Sequence, residues 1–394
     1  MNAFNISRLP RIIFGPGTIQ QLPELVARYG KQALLVTGRN AVRDSNAWSE
    51  LISGLETLGV AWVSVTVETE PSPQLVDDTV ARFKDHSIDV VIGIGGGSAL
   101  DAAKAIAGLL RRGNSVMDHL EGVGPELPYL GPITSFIAVP TTAGTGSEAT
   151  KNAVLSLHGE HGFKKSFRDE SLIAEYAVVD PDLLASCPAP IIAANGMDAL
   201  TQLLESFVST KANPFTDALA LDGLRTTRDS LLVWYRQGAV AADARLGMAY
   251  AALLSGITLA QVGLGSVHGL AAPLGAFFPI PHGVACGTLV AAATQINIQA
   301  LLQRAPNNIA LRKYAQLGRL LCSDETLNDL AAHAALTTML DEWTEEMRLS
   351  RLSHYGVHAN DLPRIVANSR GSSMKTNPIL LTDDEIETVL RMRL

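Results

Sequence analysis

The sequence predicts an α/β N-terminal domain built on a doubly wound parallel sheet, followed by an all-α C-terminal domain. Short apolar runs alternate with helical patterns through the first half, as expected for parallel strands joined by crossover helices. After residue 185 the strand signals almost vanish, and long Ala- and Leu-rich stretches with helical periodicity replace them. The 394 residues exceed what one ordinary core needs, so we expect two domains, 1–185 and 186–394.

Each element of the first half has its own signal. Predicted strands are short runs rich in Val, Ile and Leu, and the helices between them repeat apolar residues at helical spacing. In chain order the predicted strands are 33–37, 60–67, 89–94 and 136–140, and the predicted helices are 47–58, 72–84 and 99–110. In the second half, helices are predicted at 197–208, 218–234, 241–261, 283–297 and 327–345.

Charge and composition exclude several classes of partner. The net charge is -8 and no basic run is long enough to follow a phosphate backbone, so nucleic acid is not expected as a partner. Residues 1–14 lack the apolar core of a signal peptide, and the longest apolar runs are interrupted before they reach a membrane span. We therefore expect a cytoplasmic protein without a membrane partner, and we expect Lys164, Lys165 and Arg168 to form a charged surface segment. Three widely spaced cysteines are predicted to be ordinary reduced thiols: Cys187, Cys286 and Cys322.

A glycine-rich turn follows the third predicted strand and opens a helix. It consists of Gly95, Gly96, Gly97 and Ser98, and Asp101 follows in the first helical turn. Consecutive glycines allow close approach of the backbone to a ligand, and a helix N-terminus offers free N–H groups to a phosphate. A turn that needs glycine only for its geometry is the alternative. The strand–turn–helix context favours binding of a pyrophosphate.

A second polar loop follows the fourth predicted strand. Its hydroxyl groups belong to Thr141, Thr142, Thr145 and Ser147, and they could bind ribose, phosphate or a nicotinamide amide. A Ser/Thr-rich loop that merely caps a helix is the alternative. Because both loops follow parallel strands, we expect them to meet in one crevice at the edge of a Rossmann-like sheet.

Four residues in the helical half have the chemistry of metal ligands. Asp198 and Gln202 are one helical turn apart and share a face, and His268 and His282 follow further along the chain. Carboxylate, amide and imidazole donors suit Fe, Zn or Mn. A histidine in an apolar stretch is also commonly a core residue, so spacing alone leaves both interpretations open.

Taken in order, these motifs resemble the iron-containing (group III) alcohol dehydrogenase family over nearly the whole chain. The resemblance is carried by Phe14-Gly15-Pro16-Gly17, Gly95-Gly96-Gly97-Ser98 with Asp101 and Lys104, Pro140-Thr141-Thr142 through Ser147-Glu148, Asp180-Pro181, Gly196-Met197-Asp198-Ala199, His268-Gly269 and Pro281-His282-Gly283.

The resemblance implies a fold of the dehydroquinate synthase type, with NAD(P) in the cleft between the domains. It also implies a divalent metal, iron in the first place and zinc or manganese as alternatives, held by Asp198, Gln202, His268 and His282. With Asp198, His268 and His282 as catalytic residues, the metal would polarise the oxygen of a small alcohol or aldehyde during hydride transfer. A homo-oligomer is implied as well.

Three positions depart from the family pattern. Gln202 stands where the family usually has His, so metal affinity should fall or metal preference should change. Ala272 stands where a His often lines the substrate site, so another group must relay the proton. Gly38, followed by Arg39, stands where many NAD-using members have an Asp that binds the ribose 2′-OH. These two residues would admit a 2′-phosphate, which favours NADP or dual use.

Two other functions remain open at the level of sequence. A lyase of the dehydroquinate synthase type would use NAD transiently and regenerate it, so no net NADH would accumulate. A dinucleotide-binding pseudo-enzyme with a degenerate metal site, suggested by Gln202 and Ala272, would bind cofactor without turnover.

Overall fold

The computed structural model describes residues 3–39, 42–159 and 162–394, which form an α/β part followed by a helical part. The strands are β1 Arg11–Phe14, β2 Gln32–Thr37, β3 Ala61–Thr66, β4 Val90–Gly95, β5 Ser135–Pro140, β6 Asn152–Leu157, β7 Phe163–Arg168 and β8 Tyr176–Val179. Six of them form a sheet in the order β1-β8-β5-β4-β2-β3, in which every neighbouring pair is parallel. The other two, β6 and β7, pair antiparallel as a hairpin.

Helices cover both faces of the six-stranded sheet. They are α1 Leu22–Ala27, α2 Asn46–Thr57, α3 Pro73–Phe83 and α4 Gly97–Leu109. Alternate side chains of a strand point to opposite faces. Leu34 and Val36 of β2 therefore pack with α3 and α4, whereas Ala33 and Leu35 pack with α1 and α2. Burial on both faces explains why the central strands read as continuous apolar runs.

Residues 186–394, all of which the structure describes, contain helices and no strand. The helices are α5 Ala189–Val208, α6 Pro214–Gln237, α7 Ala242–Val262, α8 Ser266–Phe277, α9 His282–Arg304, α10 Ile309–Cys322, α11 Asp329–Glu346, α12 Leu362–Ala367 and α13 Asp383–Met392. Helix α9 is long and apolar enough to cross a membrane, but 83% of that apolar window is buried inside the protein, as in a core helix. Helices α7 and α8 pass the same test only as a pair, and they are bent by 100° at the break.

The structure confirms the predicted fold class and the strands and helices predicted from β2 to β5. Strands β1, β6, β7 and β8 were not predicted. The expected charged surface segment holds for the exposed Arg168 and the partly exposed Lys165. It is wrong for Lys164, since only 9% of its side chain is exposed and its ammonium group lies 2.5 Å from Glu70. The division of the chain at residues 185 and 186 stays a prediction.

Candidate active site

The glycine-rich turn and the threonine-rich loop lie side by side. We call residues 95–98 the glycine loop and residues 141–147 the threonine loop. Strands β4 and β5 are neighbours, and the Thr141 N–H donates to the Gly95 carbonyl at 2.9 Å. A Cβ on Gly97 would lie only 2.7 Å from the Thr145 Cγ2 atom, and one on Gly96 only 3.3 Å from the Thr142 hydroxyl. Thr141, Thr142 and Thr145 therefore line the loop at the N-terminus of α4, as a shared crevice requires.

Asp101 and Ser147 tie the threonine loop to α4. The Ser147 hydroxyl donates to the Asp101 carboxylate at 2.5 Å, and the Val154 N–H donates to the same carboxylate at 3.1 Å. The fully buried Lys104 ammonium donates to the Ser147 carbonyl at 2.8 Å and to the Thr150 hydroxyl at 2.9 Å. Burial lowers the pKa of Lys104 to about 8, against the opposing effect of Asp101. These groups are occupied within the protein, so a contact of Asp101 or Ser147 with a cofactor stays a prediction.

Gly38 lies at the same edge of the sheet as the two loops. It follows β2, and its N–H donates to the Ile94 carbonyl of the neighbouring strand at 3.2 Å. Among the described residues, no atom lies within 4 Å of the place where a Gly38 side chain would begin. The exposed Arg39 guanidinium donates to the Glu68 carbonyl at 2.6 Å. The position thus offers open space beside a cationic side chain.

The threonine loop is also the place where the α/β part meets the helical part. A Cβ on Gly144 would lie 2.7 Å from the Cβ of Asn195 on α5, three residues before Asp198. A Cβ on Gly256 of α7 would lie 2.1 Å from the Gly146 carbonyl oxygen. These close backbone approaches hold the threonine loop one helical turn from Asp198.

Helices α5, α8 and α9 bring four possible metal ligands together. Asp198 lies on α5, His268 on α8, and His282 and Cys286 begin α9, one turn apart. Their donor atoms all lie within 4.8 Å of one another. The Asp198 Oδ1 atom is 3.2 Å from His268 Nε2 and 3.8 Å from His282 Nε2. The Cys286 Sγ atom is 3.6 Å and 3.7 Å from the same two nitrogens.

Burial and neighbouring charges shift the pKa values of these donors in different directions. Burial acts against ionisation of Asp198, but His282 and His268 outweigh it and lower the pKa of the carboxyl. Its Oδ2 atom is buried and has no hydrogen-bond partner among the described residues. Burial lowers the pKa of His282 to about 4, so its imidazole is neutral at pH 7 and can act as a ligand, and burial raises the pKa of Cys286 to about 12. A buried carboxylate with an unpaired oxygen is unfavourable unless a cation pairs with it. The residues present therefore fit a divalent metal.

Glu205 orients His268 from behind. The carboxylate lies on α5, and its Oε2 atom is 2.7 Å from His268 Nδ1. The same carboxylate accepts from the N–H groups of Gly265 at 2.9 Å and Val267 at 2.7 Å, where α8 begins. With Nδ1 engaged, His268 presents Nε2 to Asp198, which is the arrangement usually found behind metal-binding histidines.

Gln202 is held by a hydroxyl. Its Oε1 atom accepts from Ser255 of α7 at 2.6 Å, and Ser255 also lies 3.4 Å from the Gly144 carbonyl of the threonine loop. A role of Gln202 as a metal ligand stays a prediction. At the third atypical position, Ala272 is half-buried on α8 and offers no titratable group.

Sequence reasoning missed Cys286, Glu205 and the pair formed by Lys164 and Glu70. The first two had a signal, since Cys286 is one turn after His282, and Glu205 continues the face that carries Asp198 and Gln202. No signal in the sequence indicated the pair of Lys164 and Glu70, because Lys164 lies on β7 and Glu70 lies far away in the sequence, after β3. The charges of Lys164 and Glu70 both act on the pKa of His282.

Comparisons with known proteins agree with this geometry. The profile described as iron-containing alcohol dehydrogenase matches residues 10–181, and that of the C-terminal part of the Fe-containing alcohol dehydrogenase family matches residues 192–394. Alcohol dehydrogenase 4 of Saccharomyces cerevisiae is 32% identical over 390 residues, which span 97% of this chain and 96% of the yeast protein. The NAD-dependent methanol dehydrogenase of Bacillus methanolicus is 28% identical over 97% of each chain. Among solved structures, 1,3-propanediol oxidoreductase has a TM-score of 0.90 at 28% identity and full coverage of both chains.

These matches favour an alcohol dehydrogenase over the lyase alternative. The chain belongs to the iron-containing alcohol dehydrogenase family, which implies NAD(P) and a divalent metal as cofactors.

Proposed function

We propose that this chain interconverts a small alcohol and its aldehyde with NAD(P), at the cleft between the threonine loop and the Asp198 cluster. One observation carries the proposal. The unpaired Asp198 Oδ2 atom lies in a set of four converging donors, and Asn195 on the preceding turn of α5 touches the loop that would hold the dinucleotide.

Asp198, His268 and His282 would hold the metal, which supplies a Lewis acid to polarise the substrate oxygen. The protein's part is to fix these donors. Glu205 directs His268 through its Nδ1 atom, and burial keeps His282 neutral. We propose these three residues as the catalytic centre.

The glycine loop and the N-terminus of α4 would bind the pyrophosphate. The backbone of Gly96 and Gly97 carries no side chain toward the loop, and the unpaired N–H groups of the first helical turn favour an anion. Thr141, Thr142 and Thr145 line the neighbouring loop and would donate to the remainder of the dinucleotide.

We propose NADP, or use of both cofactors, as the preference. Gly38 provides space and no carboxylate to repel a 2′-phosphate, and Arg39 provides a guanidinium at the same edge. The methanol dehydrogenase named above is NAD-dependent, so similarity to relatives does not decide between NAD and NADP. The proposed preference rests on Gly38 and Arg39.

We also propose a homo-oligomer in the cytoplasm. Strand β1 lies at one edge of the sheet and pairs on one side only among the described residues, with Ile12 40% exposed. The three cysteines are free thiols, as a reducing compartment requires. Light scattering of the purified chain tests the first point, and a single protomer mass would refute it.

A panel of primary alcohols and aldehydes with both cofactors tests the proposed activity. The chain is stripped of metal and reloaded with Fe, Zn or Mn. We expect turnover only after reloading, and no turnover in Asp198→Ala or His268→Ala. His354→Ala, which changes an exposed histidine outside the site, is the matched control and should keep full activity. Full activity in the stripped protein would overturn the metal role. Cofactor binding without turnover on any substrate would instead support the pseudo-enzyme.

A further inference from the structure

Cys286 is a buried cysteine whose sulfur has polar neighbours. The side chain is completely buried on α9, one turn after His282. Its sulfur faces the Nε2 atoms of two histidines rather than apolar neighbours alone. The other two cysteines, Cys187 and Cys322, are only partly buried and lie outside this cluster.

Four of the six distances between the donor atoms are close to the edges of a tetrahedron around one ion. Zinc lies about 2.0–2.1 Å from N and O donors and about 2.3 Å from sulfur, which gives donor–donor edges of about 3.3–3.6 Å. The observed distances from Asp198 Oδ1 to the histidine nitrogens are 3.2 and 3.8 Å. The distances from Cys286 Sγ to the same nitrogens are 3.6 and 3.7 Å. All four donor atoms lie within 4.8 Å of one another, so a single ion could contact all of them.

Gln202 is a poorer fourth donor in this chain. Its Oε1 atom already accepts a 2.6 Å hydrogen bond from the hydroxyl of Ser255, a buried residue of α7. To bind the metal, the neutral amide oxygen of Gln202 would have to give up this bond, whereas the Cys286 sulfur contacts the two histidine nitrogens that would bind the same ion.

We propose that Cys286 is the fourth protein ligand, with Asp198, His268 and His282, and that Gln202 fixes α5 to α7 through Ser255 instead of binding metal. This inference rests on the proposed metal role of the other three residues. On binding, the thiol releases its proton to solvent and its sulfur donates an electron pair to the ion, with no change of oxidation state. Thiolate donors favour zinc and cobalt over magnesium and manganese, and zinc tolerates a fifth donor in catalytic sites.

Cobalt(II) reports the ligand directly. The full-length chain is stripped of metal and titrated with cobalt(II), and the near-ultraviolet absorbance is followed for a thiolate-to-cobalt charge-transfer band. We expect the band in the wild type and its complete loss in Cys286→Ser, which changes only sulfur to oxygen. Gln202→Ala should keep the band, and so should the matched cysteine control Cys187→Ser.

Cobalt K-edge X-ray absorption of the wild type provides a measurement that needs no variant. It should show one sulfur neighbour per bound cobalt. Bound cobalt without a sulfur neighbour, or a band that persists in Cys286→Ser, would overturn the assignment of Cys286 and leave the metal role of Asp198 and the histidines intact. Failure of the wild type to bind cobalt would overturn both. A cobalt–sulfur signal without alcohol turnover would support Cys286 as a ligand and count against the proposed activity.

Discussion

Replacing Glu205 by Gln should separate the orientation of a metal ligand from the stability of the fold. The Glu205 carboxylate accepts from three groups, namely His268 Nδ1 and the N–H groups of Gly265 and Val267. The amide of Gln offers one acceptor oxygen, so at least one of these buried donors loses its partner, at a cost of about 1–3 kcal/mol of unfolding free energy. Loss of a group that orients a metal-bound histidine typically lowers metal affinity by about 10- to 100-fold. We expect a loss of zinc affinity in that range.

Competition with a chromophoric chelator measures the affinity, and urea unfolding of the stripped protein measures the stability. Glu175→Gln serves as the control, because Glu175 is a partly exposed carboxylate paired with Arg8 far from the cluster. A Glu205→Gln protein that loses stability but binds zinc within twofold of the wild type would refute the orienting role. Glu205 would then act only as the cap of α8.

Three further outcomes follow from the structure. Gly97→Ala should weaken dinucleotide binding roughly tenfold or more, since overpacking against Thr145 displaces the loop. Gly371→Ala is the control, because a Cβ there meets no atom of the described residues within 4 Å. Equal dissociation constants for Gly97→Ala and the wild type, measured by fluorescence titration, would contradict the close packing. Gly38→Asp should move the ratio of kcat/KM for NADP over NAD toward NAD by roughly tenfold, because a carboxylate repels a 2′-phosphate; an unchanged ratio would reject the proposed preference. Burial raises the pKa of Glu148 from 4.5 to about 7, so the folded state binds more protons than the unfolded state between these values and stability falls as the pH rises through 7. Glu148→Gln should remove this loss of about 3 kcal/mol, and urea unfolding curves with the same pH dependence in both proteins would contradict it.

The central strands could be predicted because burial on both faces leaves a continuous apolar run, as in β2 and β4. The strands that escaped prediction lack that signal. Strand β1 is a four-residue edge strand with two exposed residues, and β7 carries lysines whose partners come from elsewhere in the chain. Lys164 is buried because Glu70 neutralises it, and such a long-range pair leaves no periodic trace in the sequence.

The candidate site was predictable where ligands repeat along one helix and less so where separate helices meet. Asp198 and Gln202 shared a face, but only the packing of α7 shows that Ser255 holds Gln202. Cys286 had the right spacing from His282, yet a buried thiol is commonly just a small apolar residue. Whether Cys286 can act as a ligand depends on the position of His268, which lies on a different helix.

The backbones of Gly146 and Gly256 are in close contact where the two halves of the molecule meet. With a Cβ on Gly256 only 2.1 Å from the Gly146 carbonyl oxygen, neither residue can grow without pushing α7 away from the threonine loop. The separation between the threonine loop and α7 is therefore limited by these two glycines. Substitutions that change the distance between the hydride donor and the substrate are therefore expected at Gly146 and Gly256 as well as among the residues that line the pocket.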